Sequence, residues 1–139
     1  ARGTIRVSHR ALGDVVVEPS EVPGLIDELP ALAALATHGG RFTVTGAAEL
    51  RVKESDRIAA LARGLRLMGA DIEEAPDGFR IEGAARLRGG AVDAAGDHRL
   101  AMAFAIAALG ATGPTTITGA DAVAVSYPGF FDVLESMCA

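Results

Sequence analysis

Apolar positions recur along this chain with two different periods, and the changes between them lay out its elements. Ile58, Leu61, Leu65 and Met68 fall at i, i+3, i+7 and i+10, the spacing of one buried helical stripe, and Gly69 suits the end of that helix. "RFTVTG" and "TTITG" are short β-branched runs closed by glycine and predict strands. "ADIEE" and "FRIEG" flank Pro76-Asp77-Gly78, turn residues that predict a hairpin. "TIRV", near the start, also reads as a strand. Asp27 and Asp97 stand where helix N-caps belong, each before an apolar run that ends at glycine. A last amphipathic helix is predicted near Phe130 to Met137.

The pattern repeats. "FTVTGAAELRVKESDRIAAL" from Phe42 and "TTITGADAVAVSYPGFFDVL" from Thr115 align at an offset of 73 residues, with Thr43-Val44-Thr45-Gly46-Ala47 over Thr116-Ile117-Thr118-Gly119-Ala120. Upstream, "IDELPALAALATHGG" matches "GDHRLAMAFAIAALGATG" once a three-residue gap is allowed. Each copy reads as acidic start, alanine-rich helix, glycine break, strand, loop and second helix. The expected order is β-α-β-α-β-β followed by α-β-α, an α/β (α+β) protein whose helices cover one face of each mixed sheet.

Composition narrows the possibilities. At 139 residues, half of them hydrophobic and 22% charged, the chain is long enough for one good core or two small subdomains. A net charge of −5 gives no support to a nucleic-acid binder. The single cysteine, Cys138, leaves no internal disulfide and fits a reducing compartment. The apolar run Leu100 to Leu109 is about half the length of a bilayer span, so no membrane segment is expected. Neither is a signal peptide, and a chain that opens on Ala1 reads as part of a longer protein.

Against this background "ELRVKESDRIAALARGL" stands out. Arg51, Lys53, Glu54, Asp56 and Arg57 fall within seven positions, and Lys53 is the one lysine beside twelve arginines. In a helix beginning near Glu54 or Ser55, Glu54 and Arg57 are i,i+3 neighbours at the positive helix pole, where free N–H groups favour anions. An arginine fork and a lysine point charge would complete a site for phosphate or carboxylate. A solvated helix start with an ordinary ion pair is the competing reading. "GDHRLAM" offers Asp97 and Arg99 at a second helix start, and "LIDELPALA" offers Asp27 at a third. Capping and surface pairing explain each one singly, whereas repeat units packed side by side would turn all three toward one surface.

These motifs carry a resemblance. "ELRVKESDRIAALARGLRLMGADIEE", "DHRLAMAFAIAAL", "LIDELPALAALA" and the closing "SYPGFFDVL" resemble the C-terminal part of the EPSP synthase (3-phosphoshikimate 1-carboxyvinyltransferase) family, over essentially the whole chain. "IDELP" is similar to the branch that includes glyphosate-tolerant bacterial forms.

The resemblance implies two globular domains, each of three βαβαββ units, with the active site between them. This chain would hold about two units of one domain, 1–83 and 84–139, with the opposite domain and its phosphate-binding residues absent. It implies enolpyruvyl transfer from phosphoenolpyruvate to the 5-hydroxyl of shikimate 3-phosphate, releasing phosphate, with no metal or organic cofactor. Asp27 matches the aspartate that accepts the hydroxyl proton and contacts shikimate 3-phosphate. Lys53 matches a lysine binding that same substrate, and Glu54 the carboxylate delivering a proton to the methylene carbon. Arg57 and Arg99 match two arginines that grip phosphoenolpyruvate. The implied setting is cytoplasmic and monomeric, with glyphosate as inhibitor and an inactive isolated fragment.

Two positions depart from the plant and enteric branch. Val125 replaces a lysine, and Glu49 stands where an asparagine touches the substrate, so Glu49 is left outside the site. His98 is expected to be structural, His9 and His38 carry no motif, and Cys138 is expected to be inert packing. The sister transferase acting on UDP-N-acetylglucosamine is disfavoured by R-V-K-E-S-D-R and D-H-R occurring together. A non-enzymatic anion-binding module remains the third possibility.

Overall fold

Six strands and five α-helices succeed one another in the computed structural model, which describes residues 3, 4, 6, 8, 10–83 and 86–138. Within "TIRV", Ile5 and Val7 lie outside the described residues, as does His9, while Thr4 and Arg6 belong to no strand. The first strand is β1 (Val15–Val17), then come the short α1 (Val22–Leu25), α2 (Leu29–Ala36) and β2 (Arg41–Val44). A 3-10 turn (Ala48–Val52) leads to α3 (Arg57–Leu67) and the hairpin β3 (Asp71–Ala75) and β4 (Gly78–Glu82). The order then starts again with β5 (Gly90–Asp93), α4 (His98–Ala108), β6 (Thr115–Thr118), a second 3-10 turn (Ala120–Val125) and α5 (Phe130–Cys138).

The first sheet runs β1-β2-β4-β3, with β1 parallel to β2 and the hairpin strands antiparallel. It is mixed, as expected. The second sheet differs from expectation: among the described residues it consists of β5 and β6 alone, and they are parallel. In both sheets the parallel pair is joined through helix, because parallel neighbours need a crossover rather than a tight turn.

Period-two burial sets the inner face of the first sheet. Phe42, Val44, Ile72, Phe79 and Ile81 are buried, while alternate residues such as Arg41, Glu73 and Arg80 face solvent. The α3 stripe packs on that face, with Ile58, Leu61, Leu65 and Met68 all fully buried as their spacing predicts. Gly69 comes next with φ +98°, the left-handed conformation that ends a helix cheaply only in glycine, and Ala70 N–H returns to the Leu65 carbonyl.

Small residues bring the helices together. Ala33 and Ala34 on α2 and Ala101, Ala103 and Ala107 on α4 are buried where the two helices pack. Gly64 on α3 receives the ring of Phe104 from α4. His38 lies against the backbone of Gly110, a packing role in keeping with its lack of any motif. Two segments of sequence therefore share one core.

Cys138 corrects the expectation of inert packing: it is exposed, on a helix with no buried residue. No described helix is long and apolar enough to cross a membrane.

Candidate active site

Two helix starts differ from the sequence-based expectation, and both differences build the site. The helix expected near Glu54 or Ser55 begins at Arg57 instead. Asp56 caps it, accepting the N–H of Ala59 at 3.0 Å, so Glu54 and Ser55 are left in the preceding bend. Asp56 wins because its short carboxylate reaches back to orphan N–H groups once its own backbone leaves the helical region. Arg51 braces this bend against the hairpin. Its guanidinium donates to the carbonyls of Ala75 and Pro76, both at 2.7 Å, and pairs with Glu74 at 2.9 Å and Asp56 at 2.8 Å.

Asp27 is not a cap. The residue before α2 is Glu28, which makes no side-chain cap, and Pro30 in the first turn needs no N–H partner there. Asp27 lies in the turn between α1 and α2, and its carboxylate reaches two arginines from distant parts of the chain. Oδ1 accepts from Arg57 Nη1 at 3.2 Å and Oδ2 pairs with Arg99 Nη2 at 3.1 Å. Arg99 Nη1 also donates to the Asp27 carbonyl at 2.8 Å.

Asp97 does cap its helix, accepting the N–H of Arg99 at 2.9 Å. It also accepts from Arg57 Nε at 2.6 Å and from Ser55 Oγ at 3.1 Å. Arg57 Nη2 pairs with Glu54 as well. Arg57, only 1% exposed, therefore meets Asp97 at 0%, Asp27 at 44% and Glu54 at 49%.

Burial opposes charge on both members of the inner pair, and their attraction outweighs it. Arg57 is held above the ordinary arginine pKa because Asp97, Glu54 and Asp27 overcome its desolvation. Asp97 is held below the ordinary carboxylate range because Arg57, the Arg99 N–H and Ser55 overcome the same penalty. Both groups are thus charged, and removing either would strand its partner.

Four of the five residues predicted for the site, Asp27, Glu54, Arg57 and Arg99, join in this one network. Lys53 stands beside it in sequence but pairs with Glu49, the residue left outside the predicted site. Their i,i+4 spacing is the signal that could have found the pair. Asp97 was legible as a cap but not as the hub. His98 makes none of the network's hydrogen bonds, and Val125 is exposed.

Three carboxylates, Asp27, Glu54 and Asp97, face two guanidinium groups in the network. Among the described residues no group of three or more His, Cys, Asp or Glu side chains is arranged to hold a metal. The network runs from the buried Arg57–Asp97 pair out to the half-exposed Asp27 and Glu54. An apolar groove of about 330 Å³ lies elsewhere, along β1 beside Leu12, Val15, Leu25 and Leu35.

Fold and network together define the class, a mixed α/β protein with an arginine–carboxylate site gathered at its helix starts. Residues 2–134 match the family model described as EPSP synthase (3-phosphoshikimate 1-carboxyvinyltransferase). The 3-phosphoshikimate 1-carboxyvinyltransferase of Acaryochloris marina is 51% identical over 96% of this chain and 30% of its own length. That of a Roseiflexus species is 52% identical over 95% of this chain and 31% of its own. A solved EPSP synthase from Acinetobacter baumannii superposes with a TM-score of 0.85 at 42% identity, covering 91% of this chain and 30% of the other. The chain belongs to the EPSP synthase family, and it spans about 30% of the length of the relatives it matches.

Proposed function

We propose that the chain is the C-terminal part of a 3-phosphoshikimate 1-carboxyvinyltransferase, with residues 1–83 and 84–139 as about two βαβαββ units and an opposite domain beyond it. The recurrence of parallel strand, helix, parallel strand in both segments supports that division. The complete enzyme moves the enolpyruvyl group of phosphoenolpyruvate onto the 5-hydroxyl of shikimate 3-phosphate, giving 5-enolpyruvylshikimate 3-phosphate and phosphate. It works in the cytoplasm as a monomer without a cofactor, on small-molecule anions rather than nucleic acid or membrane. Glyphosate is its proposed inhibitor. Alone, the 139 residues offer one wall of the site and no turnover.

The observation that carries this reading is that Asp27 and Glu54, the proposed base and acid, bind the same guanidinium, that of Arg57. Asp27 takes the 5-hydroxyl proton as that oxygen bonds to C2 of phosphoenolpyruvate. The double-bond electrons take a proton from Glu54 at the methylene carbon, and a tetrahedral ketal forms. Loss of phosphate from C2 and of a methyl proton then restores the double bond. Phosphoenolpyruvate engages Arg57 and Arg99 by replacing the Asp27 and Glu54 carboxylates now on them. One anion is exchanged for another, and the two carboxylates are freed for proton transfer. Lys53 leaves Glu49 in the same way to meet shikimate 3-phosphate.

In the complete enzyme, Lys53→Ala and Glu54→Gln are each expected to lower turnover at least about a hundredfold. Steady-state kinetics with both substrates tests this, and near-normal turnover in either variant contradicts the assignment.

A further inference from the structure

Among the buried ionisable groups, Asp97 has no part in these proton transfers. Its contacts explain why. Oδ1 accepts the Arg99 N–H at 2.9 Å and lies 3.5 Å from Arg57 Nη2, while Oδ2 accepts Arg57 Nε at 2.6 Å and Ser55 Oγ at 3.1 Å. With no exposed atom and both oxygens engaged, Asp97 is unavailable to a reacting group. It is well placed to hold other groups still.

We infer that Asp97 is the positioning residue that decides which edge of Arg57 faces the phosphoenolpyruvate site. The inference rests on the function proposed for the complete enzyme.

A guanidinium is a planar fork with N–H groups directed along fixed lines, so holding one edge sets the direction of the others. Asp97 holds the Nε edge of Arg57 from the protein side. The Nη1 and Nη2 positions are left toward Asp27 and Glu54, whose side chains are 44% and 49% exposed. Arg57 thus has a fixed edge and an exchangeable one. An incoming carboxylate or phosphate can take the places of Asp27 and Glu54, but it cannot reach Asp97.

The same carboxylate serves the second arginine. Through the Arg99 N–H it sets the start of α4 and the direction in which Arg99 leaves it. Through Ser55 it ties that helix start to the bend holding Glu54. The chain is turned to bring it there by two consecutive residues with positive φ, Ala95 at 53° and Gly96 at 71°. For alanine that conformation is unfavourable and persists only where the surroundings enforce it. Asp93 supports it here, accepting the Ala95 N–H at 2.8 Å.

The test uses the complete enzyme and two substitutions that separate charge from placement. Asp97→Asn keeps size and an acceptor for the helix N–H but removes the charge. Asp97→Glu keeps the charge and shifts it by one methylene. Each is expected to raise KM for phosphoenolpyruvate about tenfold or more, since small misplacement of a clamp is costly. KM for shikimate 3-phosphate should stay within about twofold in both. A purely structural role would instead let Asp97→Glu recover both constants, and that recovery would overturn the inference. Equal loss for both substrates would do the same.

Should the Asp97 variants fail to fold, Ser55→Ala takes their place. It removes one hydrogen bond to Asp97 and none made by Arg57 or Arg99, so KM for phosphoenolpyruvate should rise about two- to threefold, with that for shikimate 3-phosphate unmoved. No selective change there sinks the proposal. A wild-type enzyme that turns over neither substrate would sink the functional reading instead, so the two failures are distinguishable.

Discussion

Helices α3 and α5 occupy matching places in the two segments, 73 residues apart, and have opposite fates. Arg57 at the start of α3 corresponds to Phe130 at the start of α5. Behind them Ile58, Leu61 and Leu65 correspond to Phe131, Leu134 and Cys138. The stripe on α3 is fully buried against the first sheet. On α5 no residue is buried, and Phe131, Val133 and Met137 are exposed. The strands that each helix has to pack against make the difference. β3 and β4 complete the sheet beneath α3, while β6 has only β5 beside it among the described residues. Apolar spacing specifies a helix with a face to bury, but a packing partner must supply the burial, and most of a helix's stability comes from that packing.

Three substitutions at matched positions sharpen this contrast. The largest effect is expected from the leucines. Leu61→Ala empties a site that is 1% exposed and should cost about 2–5 kcal/mol, whereas Leu134→Ala on half-exposed α5 should cost less than about 1 kcal/mol. Denaturant titration of the two variants measures both, and equal losses would erase the distinction between the helices. Next is Gly64, whose counterpart is the exposed Met137. Glycine is required on α3 because a Cβ there would run into the buried Phe104 ring. Gly64→Ala should therefore destabilise by about 1–3 kcal/mol through overpacking, despite the better helix propensity of alanine. A rise in melting temperature would show that α3 and α4 do not meet closely enough to exclude a methyl group.

The smallest effect concerns the caps. Asp56 caps α3, and its counterpart before α5 is Gly129, with open space where a Cβ would go. Asp56→Ala should cost about 1 kcal/mol, while Gly129→Asp should stabilise by about 0.3 kcal/mol. Amide exchange in α5 reads the second change, and no added protection would mean that its first turn is held by something other than its cap.

The sequence was most legible where neighbours within one turn or one hairpin decide the outcome. The α3 stripe, the Gly69 stop, the Pro76–Gly78 turn and the Asp97 cap all formed as predicted. It was least legible where the deciding partner is remote. Asp27 had the local look of a cap, yet its carboxylate turned to Arg57, 30 residues away, and its carbonyl to Arg99, 72 residues away. The helix start moved from Glu54 or Ser55 to Arg57 because Asp56 outcompeted its neighbours for the N-cap, a contest the spacing of charges does not reveal.

Local spacing and turn chemistry, which act over a few residues, were enough to read the α3 stripe, the hairpin, the β2 and β6 strands and the family motifs, but not β1 or β5. Only the tertiary structure decided that Asp97 joins Arg57 to the α4 start across 40 residues, and that carboxylates outnumber guanidinium groups in the network. The packing of α2, α3 and α4 brings those charges within hydrogen-bonding distance. Charge–charge attraction is strong only at that range, so their pairing is a property of the assembled core.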